Sequence, residues 1–362
     1  MTDRSRLPYA NGVDEPNRAG NDAAGPAVAV GIAAALGALA LFNNASARAA
    51  ERRHPPRGRF VRVDGPDGHD VRLHALDTGE PVNGDGGPPV VLLHGNVVTS
   101  DDWMTAGIMD RLDRRRVIAF DRPGFGHSER PRGVRWGARE QAALFIEACE
   151  RMGVRRPVVV GHSWGTLPAL AWALEAPETI TGAVLLSGYY YPTTRVDGMF
   201  AATAAVPVLG DLLRHTVSPP FMRATLGAVE KGLFDPREVP DRFSREFPHE
   251  LTWRPGQLRA IASEGAIMVD EAEQLQAMIA RSRRGPSSPP LALMAGLEDK
   301  VVDPHDQTAR LARELANTTL ELVPGTGHMV HHAVPETVRR MVLGMGSSGN
   351  AMAAPGTALE AA

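Results

Sequence analysis

Apolar and polar positions divide the chain into stretches with different periods. Residues 1–26 are polar, rich in Asn, Asp, Gly and Pro, and show no periodicity, which reads as a disordered leader. Ala27 to Phe42 then runs for 16 residues without a charge. As a helix that run spans about 24 Å, short of the roughly 30 Å hydrocarbon core of a bilayer unless flanking residues extend it. Three readings of residues 27–47 stand. A single membrane anchor comes first. A signal peptide cut near Ala47 comes second, because Ala45-Ser46-Ala47 has small-residue character, although the preceding segment is long and weakly basic. A buried or docked helix in a cytoplasmic protein comes third. Arg48, Arg52, Arg53, Arg57 and Arg59 follow the run, while Arg4, Arg6 and Arg18 precede it among acidic residues. This bias favours the C-terminal side as cytoplasmic.

From Gly58 the period shortens. Phe60 to Val63 and Val71 to Leu76 alternate around Gly65-Pro66-Asp67-Gly68, a hairpin signal. Continuous apolar runs follow at Pro89–Leu93, Val117–Phe120, Pro157–Val160, Ala183–Leu186 and Leu291–Met294, with a weaker one at Leu320–Val323. Such runs suit strands covered on both faces. Helical spacing occupies Ala138–Met152, Ser163–Glu175 and Asp306–Leu315. The alternation predicts a doubly wound, mostly parallel α/β sheet. It breaks between Leu186 and Leu291, where recurring prolines and no comparable strand predict a mainly helical lid over 189–288. The core is then 58–188 and 289–344, and the low-complexity tail 345–362 reads as disordered.

Composition narrows the function classes. The 362 residues carry 39 Lys+Arg against 42 Asp+Glu, a net charge of -3 that lacks the basic excess of nucleic-acid binders. Hydrophobic residues at 43% and charged ones at 22% describe a globular chain. The lone cysteine, Cys149, excludes an intramolecular disulfide framework. Only Lys231 and Lys300 are lysines, a bias with no functional message.

The chemistry gathers at the ends of the expected strands. Gly161-His162-Ser163-Trp164-Gly165 sits between a strand and an apolar helix, the context in which G-x-S-x-G builds a sharp turn that exposes a nucleophilic serine. A serine hydroxyl needs a base. Gly325-Thr326-Gly327-His328 follows the last strand, and His331 and His332 compete with His328. The His-x-x-His-His pattern lacks the spacing and glutamate of a helical zinc motif, so no metal is expected. Asp299, after the strand at Leu291–Met294, is the best acid to orient the base; Glu298 and Asp303 are alternatives. The chain order Ser163, Asp299, His328 is the nucleophile-acid-base order expected of this arrangement. Two backbone amides, those of Trp164 and Asn96, are candidates for an oxyanion hole, with His94 bracing the Asn96 loop. Tyr189, Tyr190 and Tyr191, at a strand end leading into the lid, are candidate pocket-wall residues.

Together His94-Gly95-Asn96, Asp121 to Ser128, Gly161 to Gly165, Asp299 and His328 make the chain resemble the α/β-hydrolase superfamily from about Pro89 to Val342. The resemblance implies a lid before the acid strand and a structural loop at Asp121–Ser128. The His-Gly-Asn and Ser-Trp-Gly surroundings also resemble haloalkane dehalogenases and epoxide hydrolases, which use an aspartate nucleophile where this chain has Ser163. A serine alkoxide there would form an ether with no easy hydrolysis, so both reactions are disfavoured. The expected activity is cleavage of a carboxylic ester or related acyl compound by a serine hydrolase, with a small-molecule substrate and no cofactor. Proline iminopeptidases, whose acidic lid residues read a substrate amine, are a second reading; Glu246, Glu250 and Glu264 are the residues available. A C–C bond hydrolase and a catalytically silent binding protein remain as alternatives.

Overall fold

The apolar runs become one eight-stranded sheet. The computed structural model describes residues 24–193, 208–282 and 289–345. Its strands are β1 (Arg59–Asp64), β2 (Asp70–Asp77), β3 (Val90–Leu93), β4 (Val117–Phe120), β5 (Val158–His162), β6 (Gly182–Leu186), β7 (Leu291–Gly296) and β8 (Thr318–Val323). Their spatial order is β1-β2-β4-β3-β5-β6-β7-β8. β2 runs antiparallel to β1 and β4, and all other pairs are parallel. Every residue of β3 to β7 is buried, which is why these strands read as continuous apolar runs instead of alternating ones. The chain reverses direction across the sheet at β3, which lies between β4 and β5. The carboxyl ends of β3 and β5 therefore flank a crevice, the standard place for a ligand in an open α/β sheet.

A long helix, α1 (Ala24–Arg53), precedes the sheet. Helices α2 (Ala138–Arg151) and α3 (Thr166–Glu175) cover one sheet face, contributing Phe145, Leu167 and Trp172 to its core. Between β6 and β7 the described residues form α4 (Leu209–His215), α5 (Ser218–Phe234), two short helices at Asp241–Glu246 and His249–Thr252, and the 28-residue α6 (Pro255–Ser282). Ala272, Leu275, Met278 and Ile279 of α6 join the same core as α3, so the insertion is seated on the sheet domain. Helix α7 (Pro335–Gly344) covers the opposite face through Val338 and Val342.

Three boundaries differ from the pattern-based expectation. The helix expected from Ser163 opens with a tight turn over Ser163–Gly165 and becomes α-helical at Thr166. The helix expected over 306–315 is a wide turn at His305–Ala309 followed by a single α-turn at Arg310–Glu314. The apolar run at 27–42 lies inside α1, which extends to Arg53 and packs its later part on the insertion. Asn43 Nδ2 donates to the carbonyls of His215 (3.0 Å) and Thr216 (2.6 Å), and Ala50 is buried. The remainder of the expected leader, 1–23, and the expected tail from 346 lie outside the described residues.

Candidate active site

Ser163 stands at the end of β5 with φ at +51°, a left-handed value uncommon for a residue with a side chain. The turn exists because its flanking positions carry no side chain. A Cβ at Gly161 would lie 2.5 Å from the carbonyl oxygen of Gly165, and one at Gly165 would lie 2.2 Å from that of Leu93. The strained residue is thus held by close backbone packing on both sides, and its hydroxyl faces the crevice.

His328 reaches this hydroxyl from the loop after β8. Its Nε2 lies 2.8 Å from Ser163 Oγ, and its Nδ1 lies 2.8 Å from Asp299 Oδ2. Asp299 is nearly buried, and its second oxygen accepts from the amides of Val301 (2.8 Å) and Val302 (3.0 Å). Those bonds fix the carboxylate and leave one oxygen for the imidazole. The competing acids are engaged elsewhere. Glu298 accepts from the Thr326 amide (2.9 Å), tying the β7 loop to the His328 loop; this bond holds its carboxyl below the usual range. Asp303 accepts from the amides of His305 and Asp306 and so begins the next turn.

The competing histidines are engaged too. His331 Nε2 and His332 Nε2 lie 2.8 and 2.7 Å from the two oxygens of buried Asp102. Both lie in the short helix Val330–Ala333, where they brace Asp102. The ligand atoms of this trio lie within 4.8 Å of one another. Each Nε2 donates to the Asp102 carboxylate, which ties the three groups together. The His331 ring packs 4.2 Å from that of His162, whose Nε2 lies 3.0 Å from the backbone oxygen of His328. Burial, with the charges of His331 and His328, keeps His162 well below its ordinary pKa and therefore neutral; its Nε2–H donates to that carbonyl. Asp102, His331 and His162 thus form a rigid backing for the His328 loop. None of the three stood out in the sequence as a unit, because Asp102 lies 229 positions from His331.

The loop carrying Asn96 is braced as expected, by more residues than expected. His94 Nδ1 donates to the Gly95 carbonyl (2.7 Å) and its Nε2 accepts from the Arg122 amide (3.0 Å), while burial pushes its pKa down to about 3. The Arg122 guanidinium donates to the carbonyls of His94 (2.7 Å) and Gly95 (3.1 Å) and pairs with Glu264 of α6 at 2.6 and 2.9 Å, all fully buried. Asn96 and Trp164 both line the cavity at Ser163. The Asn96 side chain bridges its own loop and the insertion: Oδ1 accepts from the Val97 amide (2.9 Å) and Nδ2 lies 3.5 Å from the Ile261 carbonyl of α6.

That cavity holds about 240 Å³. Its wall is mostly apolar, with Leu233 from α5, Ile261, Met268 and Val269 from α6, and Val301, Val302 and Met329 from the loops. Of the three expected tyrosines only Tyr189 lines it. Tyr190 and Tyr191 turn into the core, drawn by Gln307, whose Oε1 accepts from both amides (2.7 and 2.9 Å); the Tyr191 hydroxyl donates to Glu314 (2.7 Å). The expected amine-reading carboxylates are also corrected. Glu264 is locked on Arg122, while Glu246 pairs with Arg242 and Glu250 with Arg53 at the surface, and none of them lines this cavity.

Residues 88–333 match the alpha/beta hydrolase fold family, and the chain belongs to it. Among curated proteins it is 27% identical over 280 residues to haloalkane dehalogenase 2 of Mycobacterium tuberculosis, covering 75% of this chain and 90% of that one. It is 30% identical over 210 residues to the 2-hydroxy-6-oxo-2,4-heptadienoate hydrolase of Pseudomonas putida, covering 57% and 66%. Among solved structures, an esterase from Thermogutta terrifontis superposes with a TM-score of 0.61 at 20% identity, covering 79% of this chain and 97% of that one. A bacterial membrane phospholipase A superposes at 0.56 and 20%, covering 89% and 95%. The family is one of hydrolases, and its sheet and helices are those described above.

Proposed function

We propose that this protein is a serine hydrolase that cleaves carboxylic esters through an acyl-enzyme. The observation that carries this reading is the chain of 2.8 Å contacts from Ser163 Oγ to His328 Nε2 and from His328 Nδ1 to Asp299, opening on an apolar cavity. Ser163 Oγ attacks the carbonyl carbon while its proton passes to His328 Nε2, and the carbonyl oxygen becomes an oxyanion held by the amides of Trp164 and Asn96. The oxyanion collapses, the bond to the alcohol oxygen breaks, and His328 gives its proton to the departing alcohol. Water then attacks the acyl-serine, losing a proton to His328; collapse frees the acid and returns the proton to Ser163. Asp299 orients His328 and stabilises its imidazolium.

Serine at this position favours acyl transfer over dehalogenation, despite the dehalogenase relative, because a carboxylate nucleophile would be needed to give a hydrolysable alkyl ester. A C–C bond hydrolase is the second reading, supported by the similarity to the 2-hydroxy-6-oxo-2,4-heptadienoate hydrolase of Pseudomonas putida. The insertion between β6 and β7 acts as a lid, since α5 and α6 supply cavity walls. Helix α1 is read as a membrane anchor: Pro26–Arg53 is long and apolar enough to cross a bilayer and its apolar window is almost wholly exposed. Its polar half is held by the insertion, so removal at Ala47 would delete the Asn43 contacts.

Wild type should hydrolyse p-nitrophenyl butyrate and be labelled by a fluorophosphonate, and Ser163→Ala should lose both. Activity retained in that variant sinks the mechanism. Ester inactivity together with turnover of a vinylogous diketone would select the C–C reading instead.

A further inference from the structure

A second cavity, of about 740 Å³, lies between α1 and the insertion. It is larger than the one at Ser163 and different in character. Five guanidinium groups line it, those of Arg48, Arg72, Arg130, Arg254 and Arg259, against the single carboxylate of Glu51. Three of the five are already engaged. Arg254 pairs with Glu51 at 2.8 Å, Arg130 lies 3.5 Å from Glu264, and Arg72 lies 3.3 Å from Glu129. Arg48 and Arg259 have no carboxylate partner among the described residues. Arg259 is half-buried, and burial, with the nearby charges of Arg132 and Arg214 outweighing Asp211, pushes its pKa down from the ordinary value. A half-buried cation without an anion is an unfavourable arrangement that an incoming anion relieves.

The position of the cavity identifies the anion. Asn44, Ala47, Arg48 and Glu51 share one face of α1 and form one wall. Phe42, the last residue of the uncharged run, is only two positions before Asn44, so this wall begins about 3 Å below the apolar segment and ends about 14 Å below it. Head groups occupy the first 5–8 Å outside the hydrocarbon core, by the difference between roughly 30 and 40–45 Å total thickness. With residues 26–42 in a bilayer, the mouth of the cavity sits at head-group depth. Exposed Leu209 and Leu212 belong to α4, which packs on α1, and have side chains suited to the interface.

We propose that this cavity binds the phosphate group of an anionic membrane lipid, with Arg48 and Arg259, the latter donating also to the Arg130 carbonyl, supplying cations that have no carboxylate partner among the described residues. The inference rests on the membrane reading of α1. The test uses the full chain in neutral detergent micelles, with the thermal unfolding midpoint followed as phosphatidylglycerol or phosphatidylcholine is added. Phosphatidylglycerol should raise the midpoint by about 3 °C or more and phosphatidylcholine should not. The double variant Arg48→Gln/Arg259→Gln should lose the rise while keeping ester hydrolysis. The double variant Arg52→Gln/Arg57→Gln, with the same charge change outside the cavity, should retain it. Equal loss in both variants, or equal rises with both lipids, overturns the proposal. Inorganic phosphate alone giving the full rise overturns the lipid assignment in favour of a soluble phosphate. Co-flotation of wild type with phosphatidylcholine vesicles separates the two readings. No flotation removes the anchor and this inference with it, while flotation without a phosphatidylglycerol-specific rise removes the inference alone.

Discussion

The two cavities of this molecule lie on opposite flanks of α6 and are built on contrasting principles. At Ser163 the wall is apolar and the polar groups bond one another in closed chains: Asp299 to His328, His328 to Ser163, and Asp102 to His331. Beneath α1 the wall is cationic, and two of its guanidinium groups have no carboxylate partner among the described residues. The first arrangement keeps its groups in one geometry, as chemistry requires. The second keeps charge in reserve, as binding of a counter-charge requires. Glu264 stands between them. It pairs with Arg122, which braces the Asn96 loop, and lies 3.5 Å from Arg130, which lines the cationic cavity.

The contrast can be broken or sharpened by substitution. The largest effect is expected for Asp299→Asn, which leaves His328 in the wrong tautomer; kcat for ester hydrolysis should fall by roughly 10⁴ with folding intact. A small change would show that the closed chain at Ser163 is not the working one. Glu264→Gln leaves Arg122 as an uncompensated buried charge and should cost about 3–5 kcal/mol of stability, read by chemical denaturation. It also reports on both cavities; a loss under 1 kcal/mol would mean that they are not linked through this pair. Asp102→Asn loosens the backing of His328 without touching substrate. It should lower kcat by about 10²-fold with KM nearly unchanged, and an effect on KM alone would make the brace a substrate contact instead.

The smallest expected effect is that of acid. His94 has its pKa pushed down to about 3 by burial. Below about 6.5 the unfolded chain takes up a proton there that the native state refuses. The stability this histidine supports is complete above pH 6.5 and falls as pH drops toward 3, at about 1.4 kcal/mol per unit, or about 2 kcal/mol at pH 5. His162 and His331, also lowered by burial, act in the same direction, while His249 acts oppositely because Glu230 raises its pKa despite burial. The unfolding midpoint should therefore decline between pH 7 and 5. A flat profile would mean that the packing around the Ser163 loops opens to water.

Legibility in the sequence follows the range of the interactions. The turn at Ser163 could be read because Gly161 and Gly165 lie within two residues of it, and the parallel strands because continuous burial leaves a local apolar signature. The loops bearing Asp299 and His328 could be placed because each follows its strand. The tyrosines misled because exposure and burial look alike in a run of three aromatics, and Gln307, which turns two of them inward, lies 116 and 117 positions away. Whether flanking residues extend the run at 27–42 is left open by its pattern, and the partners of Asn43 just beyond it, the carbonyls of His215 and Thr216, lie 172 and 173 positions away.

By itself, then, the sequence determined the sheet, the chain order of Ser163, Asp299 and His328 and the turn at Ser163, all products of spacing within one turn or one strand-loop unit. Only the tertiary structure decided which histidine and which acid meet, which glutamates are spent on Arg122 and at the surface, and that arginines from Arg48 to Arg259 converge on one cavity. Those outcomes are set by which distant surfaces pack together, and local patterns of hydrophobicity and charge carry no record of their partners.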